Sequence, residues 1–151
     1  MKISILSPWK QAADIREREE DYLKRLRRYA SVTLEEIKGA KGEEKEAVRK
    51  EGEFLLAKFR RGSYIVALTE SGKNYDSRQF SQWLEGMGIN GRSDITFVIG
   101  GAAGLSRDLL EKADGRLSLS AMTFPHQMAR LVLVEQIYRA FTLIKGEPYH
   151  K

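Results

Sequence analysis

An apolar strand that runs directly into a glycine cluster constrains this chain more than any other feature: Ile95-Thr96-Phe97-Val98-Ile99 is followed at once by Gly100-Gly101-Ala102-Ala103-Gly104. A glycine pair just past a strand lets backbone approach a ligand closely and frees amides to point at it. Taken alone, the same pair also suits a tight strand-to-helix turn. Further along comes a second loop, Leu119-Ser120-Ala121-Met122-Thr123-Phe124, followed by Pro125-His126 and a long amphipathic segment. That loop offers small side chains and backbone groups, with no acid, base or metal ligand. Together the two loops suggest one site that holds a nucleoside-like cofactor by its backbone.

The rest of the chain alternates short apolar runs with amphipathic segments, the order expected of an α/β fold with a mostly parallel sheet covered by helices. Strands are expected near residues 2–6, 31–37, 63–68, 94–99 and 116–119, and helices near 10–29, 43–60, 76–87, 106–113 and 125–145. Ile15, Tyr22, Leu26 and Tyr29 mark the inner stripe of the first helix, and Val48, Leu55 and Phe59 that of the second. Asp76 with Gln79 has the form of a capping box, and Leu105 with Leu110 around Ser106 that of a hydrophobic staple. Pro125 suits a first helical position, and Gly146 with Pro148 supplies the stop. The turns are short, repeats are absent, and 151 residues make one domain of ordinary size.

Composition excludes several functions. Without cysteine there is neither a disulfide framework nor a thiolate zinc site, and only two histidines remain for any metal, so no metal is expected. Met1 to Leu6 is too short an apolar run for a signal peptide, and no segment could span a bilayer; a cytoplasmic protein is expected. Lys and Arg number 26 against 21 Asp and Glu, a net charge of +5 that suits an anionic partner. The spacing of Gly100, Gly101 and Gly104 is not that of a dinucleotide fingerprint, and Gly104-Leu105-Ser106 lacks the lysine of a P-loop. NAD and nucleoside triphosphates are therefore disfavoured.

On a helical wheel of the final helix Val134, Ile137, Phe141 and Ile144 form one stripe, while Val132 and Leu143, with Met128 beside them, lie nearly opposite. A second apolar face on so small a domain predicts a homodimer built around this helix. Arg130 lies on the apolar stripe itself. Its guanidinium needs an anionic partner: either a carboxylate across an interface, or a phosphate or active-site group.

Four segments in order, Phe97 to Leu105, Leu117 to Arg130, Glu135 to Phe141 and Pro148-Tyr149-His150-Lys151, closely resemble the RlmH family of small bacterial SPOUT methyltransferases. The resemblance spans nearly the whole chain, although the opening Ser7-Pro8-Trp9-Lys10 departs from relatives that carry Gly-Lys after the first strand. It implies a SPOUT fold whose C-terminal segment threads a loop as a deep trefoil knot, an exception to the unknotted rule. It further implies an S-adenosylmethionine site made by Leu68, Gly100, Gly101, and Leu119, Ser120, Ala121, Met122, Thr123 and Phe124. The implied reaction is methylation of N3 of a pseudouridine in 23S rRNA, carried out on assembled ribosomes.

Methyl transfer from a sulfonium is a direct displacement, so alignment is the main task, and the imide N3 proton must also be removed. His126, Arg130, Tyr149 and His150 are the candidates. The positive end of the helix dipole favours a neutral His126, and Arg130 suits either the deprotonated base or a phosphate. Tyr149 and His150 sit on a tail placed to close over a site, that of the partner subunit in a dimer. Two other readings stay open: a non-catalytic RNA- or nucleotide-binding protein, and a SPOUT methyltransferase acting on tRNA.

Overall fold

The computed structural model describes residues 1–151. Five strands, β1 (Lys2–Pro8), β2 (Ser31–Ile37), β3 (Tyr64–Asn74), β4 (Asp94–Val98) and β5 (Gly115–Ser118), form one sheet in the order β2-β1-β4-β3-β5. All four pairings are parallel. The helices are α1 (Ala13–Leu26), α2 (Glu44–Leu56), α3 (Ser77–Ile89), α4 (Arg107–Lys112) and α5 (His126–Ile144).

The period-2 alternation of the strands divides the core in two. Ile3, Ile5, Ile95, Phe97 and Val66 meet Leu26 of α1, Leu84 of α3 and Leu133, Val134 and Ile137 of α5. Leu6, Val98, Ile65 and Ala67 meet Leu55 of α2 and Leu109 of α4 on the other face. Right-handed crossovers require this arrangement: α1 and α3 carry the chain one way across the sheet and α2 and α4 carry it the other way. α5 then returns to lie between α1 and α3, packed against both.

Local signals largely behave as read. Asp76 Oδ1 accepts from the Gln79 amide and Gln79 Oε1 from the Asp76 amide, closing the capping box. Ser106 caps α4, accepting from the Leu109 amide at 3.3 Å. Several boundaries differ from expectation by a few residues, with β1 running on to Pro8, α1 ending at Leu26 and α2 at Leu56, and three differences bear on the site. α1 begins at Ala13 rather than residue 10, because Gln11 turns inward, buried, and donates to Glu19 at 2.8 Å. Pro125 is the N-cap of α5, so His126 rather than the proline is its first residue. β3 does not stop at Leu68: pairing with β5 resumes at Lys73 after a register shift. Gly72 permits that close return, since a Cβ there would lie 2.6 Å from the Leu117 carbonyl carbon. The excursion at 69–72 becomes part of the site's rim.

Candidate cofactor cleft and active site

The C-terminal ends of β3, β4 and β5 open into one cavity of about 410 Å³, at the edge where ligands bind in open α/β sheets. Leu68, Ile99, Leu105, Leu110, Leu117 and Leu119 give it apolar walls, and Gly100 to Gly104 give it a backbone rim. The size and the mixture of apolar wall and backbone polar groups suit a small organic ligand. Of the nine residues expected to hold a cofactor, Leu68, Gly100, Gly101, Leu119, Ser120, Met122, Thr123 and Phe124 line this cleft. Ala121 does not. It is exposed at the outside of a turn in which Ser120 Oγ accepts from the Met122 amide at 3.0 Å.

The glycine loop closes on itself: Gly104, at φ 84°, donates its amide to the Gly101 carbonyl at 3.0 Å. A Cβ at Gly100 would sit 2.6 Å from the Gly104 carbonyl carbon. The loop's own fold therefore demands this glycine, in addition to any ligand's approach. The cleft is also not free of acid. Glu70, on the β3 excursion, lines it and accepts from Thr123 Oγ1 at 2.7 Å, which ties the excursion to the second loop.

His126 lines the same cleft, and its Nε2 is buried without a hydrogen-bond partner. Burial pushes the imidazole below its ordinary value; Glu51 opposes the shift and Arg130 adds to it. The ring is held neutral by desolvation first, rather than by the helix dipole that the sequence suggested.

Arg130 does not reach the cleft. It is 4% exposed and forks onto Glu19, Nε to Oε2 at 2.8 Å and Nη2 to Oε1 at 2.6 Å, with Glu36 2.9 Å away. Its carboxylate partners lie within the same chain, on α1 and β2, and not across an interface. Burial alone would raise Glu36, yet the Gln11 amide and Arg130 hold it below the usual carboxylate range.

Tyr149 and His150 are likewise away from the cleft in this chain. The Tyr149 hydroxyl donates to Glu135 at 3.0 Å and lies 3.2 Å from the Tyr22 hydroxyl, and its ring stands edge-on to Tyr138. His150 Nδ1 lies 3.2 Å from Arg139 Nη1. The tail folds back along α1 and α5.

Two residues near the site were given no role by the sequence reading, which passed over Glu51 and met Trp9 only within the atypical opening loop. Glu51, 7% exposed, accepts from the Ala40 amide at 3.0 Å, and its carboxylate lies 2.8 Å from where a Gly101 Cβ would be. A signal existed: Glu51 falls three residues after Val48 and four before Leu55, on the inner stripe of α2. Trp9 is the one non-glycine residue with positive φ, 69°, a conformation that costs about 1–3 kcal/mol. Its ring covers Gly39 so closely that a Cβ there would lie 1.9 Å from the indole.

The chain is a parallel α/β protein with a backbone-rimmed, apolar cleft at its strand ends, of a size and lining that suit a small organic ligand. A family model described as a predicted SPOUT methyltransferase matches residues 1–150, and the chain belongs to that family. A Carboxydothermus hydrogenoformans protein named ribosomal RNA large subunit methyltransferase H is 46% identical over 138 residues, 87% of each chain. One of the same name from Pelotomaculum thermopropionicum is 48% identical over 86% of each, and a Clostridium perfringens protein, methyltransferase H 1, is 40% identical over the full length of both. Among solved structures, a Haemophilus influenzae protein described as a probable methylase family protein superposes with TM-score 0.55 at 12% identity, covering 99% of this chain and 70% of that one. A Legionella pneumophila protein in complex with the bound cofactor SAM gives 0.50 at 11% identity, covering 93% and 66%. These likenesses are of fold. The structure brings no three His, Cys, Asp or Glu side chains together as a metal-binding group, and no helix is long and apolar enough to cross a membrane.

Proposed function

We propose that this chain is an S-adenosylmethionine-dependent methyltransferase acting on 23S rRNA of the large ribosomal subunit, at N3 of a pseudouridine. The observation that carries the reading is the cleft itself, in which both sequence loops meet at the strand ends and eight of the nine expected cofactor residues line one wall or another. Its apolar walls fit an adenine ring, its rim of amides and carbonyls fits ribose and base edges, and the carboxylate of Glu70 on that rim, with Glu51 buried beside Gly101, suits a cationic cofactor. When bound, the sulfonium supplies an activated methyl group.

The chain's residues then have separable tasks. Leu68, Leu119 and the Gly100 loop orient the cofactor, while the neutral His126 on the cleft wall presents a nitrogen that can meet the base. Arg130 acts as a positioning residue, holding α5 against α1 and β2 through Glu19 and Glu36. Tyr149 and His150 complete a site in trans within a homodimer formed on the half-buried face of Val132, Leu143 and the exposed Met128. The same proposal includes single-domain organisation, a cytoplasmic location, and the C-terminal trefoil knot of the fold family. The three segments lining the cleft are those a knot would draw together.

The test is transfer of labelled methyl from S-adenosylmethionine to purified large subunits or whole ribosomes, with mass spectrometry of 23S rRNA fragments. Transfer to one pseudouridine, far faster on assembled particles than on bare fragments, is the expected result. Preferential methylation of tRNA would replace the substrate, and saturable cofactor binding with no transfer would leave a binding protein.

A further inference from the structure

A wider cavity of about 800 Å³ adjoins the cofactor cleft, and His126 lines both. Its other walls are Trp9 and Lys10 from the segment after β1, Glu36 and Ile37 at the end of β2 with Lys38 and Gly39 beyond it, and Gln127 at the start of α5. The Trp9 amide donates to the Ile37 carbonyl at 3.1 Å, so the two segments are joined and the left-handed backbone at Trp9 is held in place. The aromatic ring is only half-buried there. A strained residue kept under such constraint marks a place where a side chain must be aimed.

Charge gives the cavity its sign. Glu36 is its one acid, and that carboxylate is already taken by Arg130 at 2.9 Å and the Gln11 amide at 3.0 Å, with Arg16 at 3.9 Å. Lys10 and Lys38 are exposed and form no ion pair. Two free ammonium groups beside an aromatic wall are the elements of single-stranded nucleic-acid recognition: stacking for a base and cations for its backbone. His126, whose buried Nε2 lacks a partner, is the residue this cavity shares with the cleft.

We propose that this second cavity is the nucleotide subsite: an unpaired RNA nucleotide enters with its base against Trp9 and its phosphates on Lys10 and Lys38, which brings the reacting base edge to His126. Trp9 and the two lysines thus set RNA affinity and take no part in holding the cofactor. The inference rests on the proposed RNA methyltransferase reading for its substrate, and it can be tested apart from it. Trp83→Phe leaves Trp9 as the sole tryptophan of two, and its fluorescence can be titrated with hexauridine at low salt.

Saturable quenching is expected, weakened about ten-fold or more in the Lys10→Ala/Lys38→Ala double variant. In methyl transfer to large subunits the double variant raises KM by about ten-fold, with kcat and S-adenosylmethionine affinity within about two-fold of the parent. Because Trp9→Ala can loosen the β1 loop, Trp9→Phe serves as the conservative partner, and it should keep most of the affinity that Trp9→Ala loses. Absence of quenching, or a double variant with unchanged oligonucleotide affinity and KM, overturns the subsite. If the parent methylates no ribosomal particle, the enzymatic reading fails while the quenching titration still decides whether the cavity takes RNA.

Discussion

The two ends of α5 are built on opposite terms. At its N-terminal end His126 opens onto two cavities with Nε2 buried and unpartnered. At its C-terminal end polar groups find partners: Glu147 accepts from Arg28 at 2.8 Å and from Tyr29 at 2.5 Å, while Tyr149 donates to Glu135 at 3.0 Å. Burial and the bond to Glu147 push the Tyr29 phenol up to about 12, so it stays a donor throughout the physiological range. Buried polar groups are normally satisfied. The satisfied end is therefore fixed in one geometry before any ligand arrives, able to present Tyr149 and His150 as a set unit, and the unsatisfied end is the place a ligand completes. Between them lies Arg130, whose charge is wholly absorbed by Glu19 and Glu36.

Removing that middle charge should have the largest effect. Arg130→Ala leaves two carboxylates facing each other in a buried site and should cost about 3–5 kcal/mol of stability in chemical denaturation. A loss below about 1 kcal/mol would return Arg130 to the candidates for direct ligand contact. Next comes the tail. Deleting residues 148–151 should lower methyl transfer about 100-fold, roughly 2.7 kcal/mol of barrier, with cofactor affinity unchanged. Mixing that protein with His126→Ala under subunit exchange should restore part of the activity if the tail serves the partner's site. Unimpaired transfer by the truncated protein would confirm the satisfied end as purely structural.

Smaller still is Gly100→Ala, which should weaken cofactor binding about ten-fold, near 1.4 kcal/mol in calorimetry. Its Cβ meets the Gly104 backbone at 2.6 Å and must open the loop, whereas a Cβ at Gly101 meets the far end of the Glu51 side chain at 2.8 Å. Gly101→Ala should consequently be the milder change. Equal effects would show that the ligand, and not loop closure, demands Gly100.

The fold was legible because each strand and helix carries its own period, and the switch from period 2 to 3.6 occurs at nearly every true boundary. The cleft was legible for a related reason: Gly100 follows the apolar run of β4, Leu119 follows directly on β5, and parallel strands deliver their C-terminal ends to one edge. What was not legible depends on pairings distant in sequence. The bridge from Arg130 to Glu19 joins residues 111 apart, and that from Tyr149 to Tyr22 residues 127 apart. A buried guanidinium announces that it needs an acid without saying which one. Trp9 was noticed only as a departure from relatives, since nothing local foretells a left-handed tryptophan held by Gly39 on a neighbouring strand's loop.

The subtlest prediction concerns proton binding at the unsatisfied end. Burial holds His126 below its ordinary value of 6.5. Below pH 6.5 the unfolded chain therefore binds more protons at this residue than the folded chain does, so stability rises with pH in that window. The contribution is complete above about 6.5, where the imidazole is neutral in both states, and it is lost as pH falls through the lower folded value. His126→Gln should flatten the stability difference between pH 7 and pH 5.5 measured by denaturation, and the native His126 ring should titrate by NMR with a midpoint below 6.5. Glu51 works against the shift, so Glu51→Gln should lower the midpoint further. A midpoint at or above 6.5 would mean that Nε2 has found a carboxylate or water partner in solution. The two ends of α5 would then be alike, and the case for His126 as the nitrogen awaiting a base would fall with their difference.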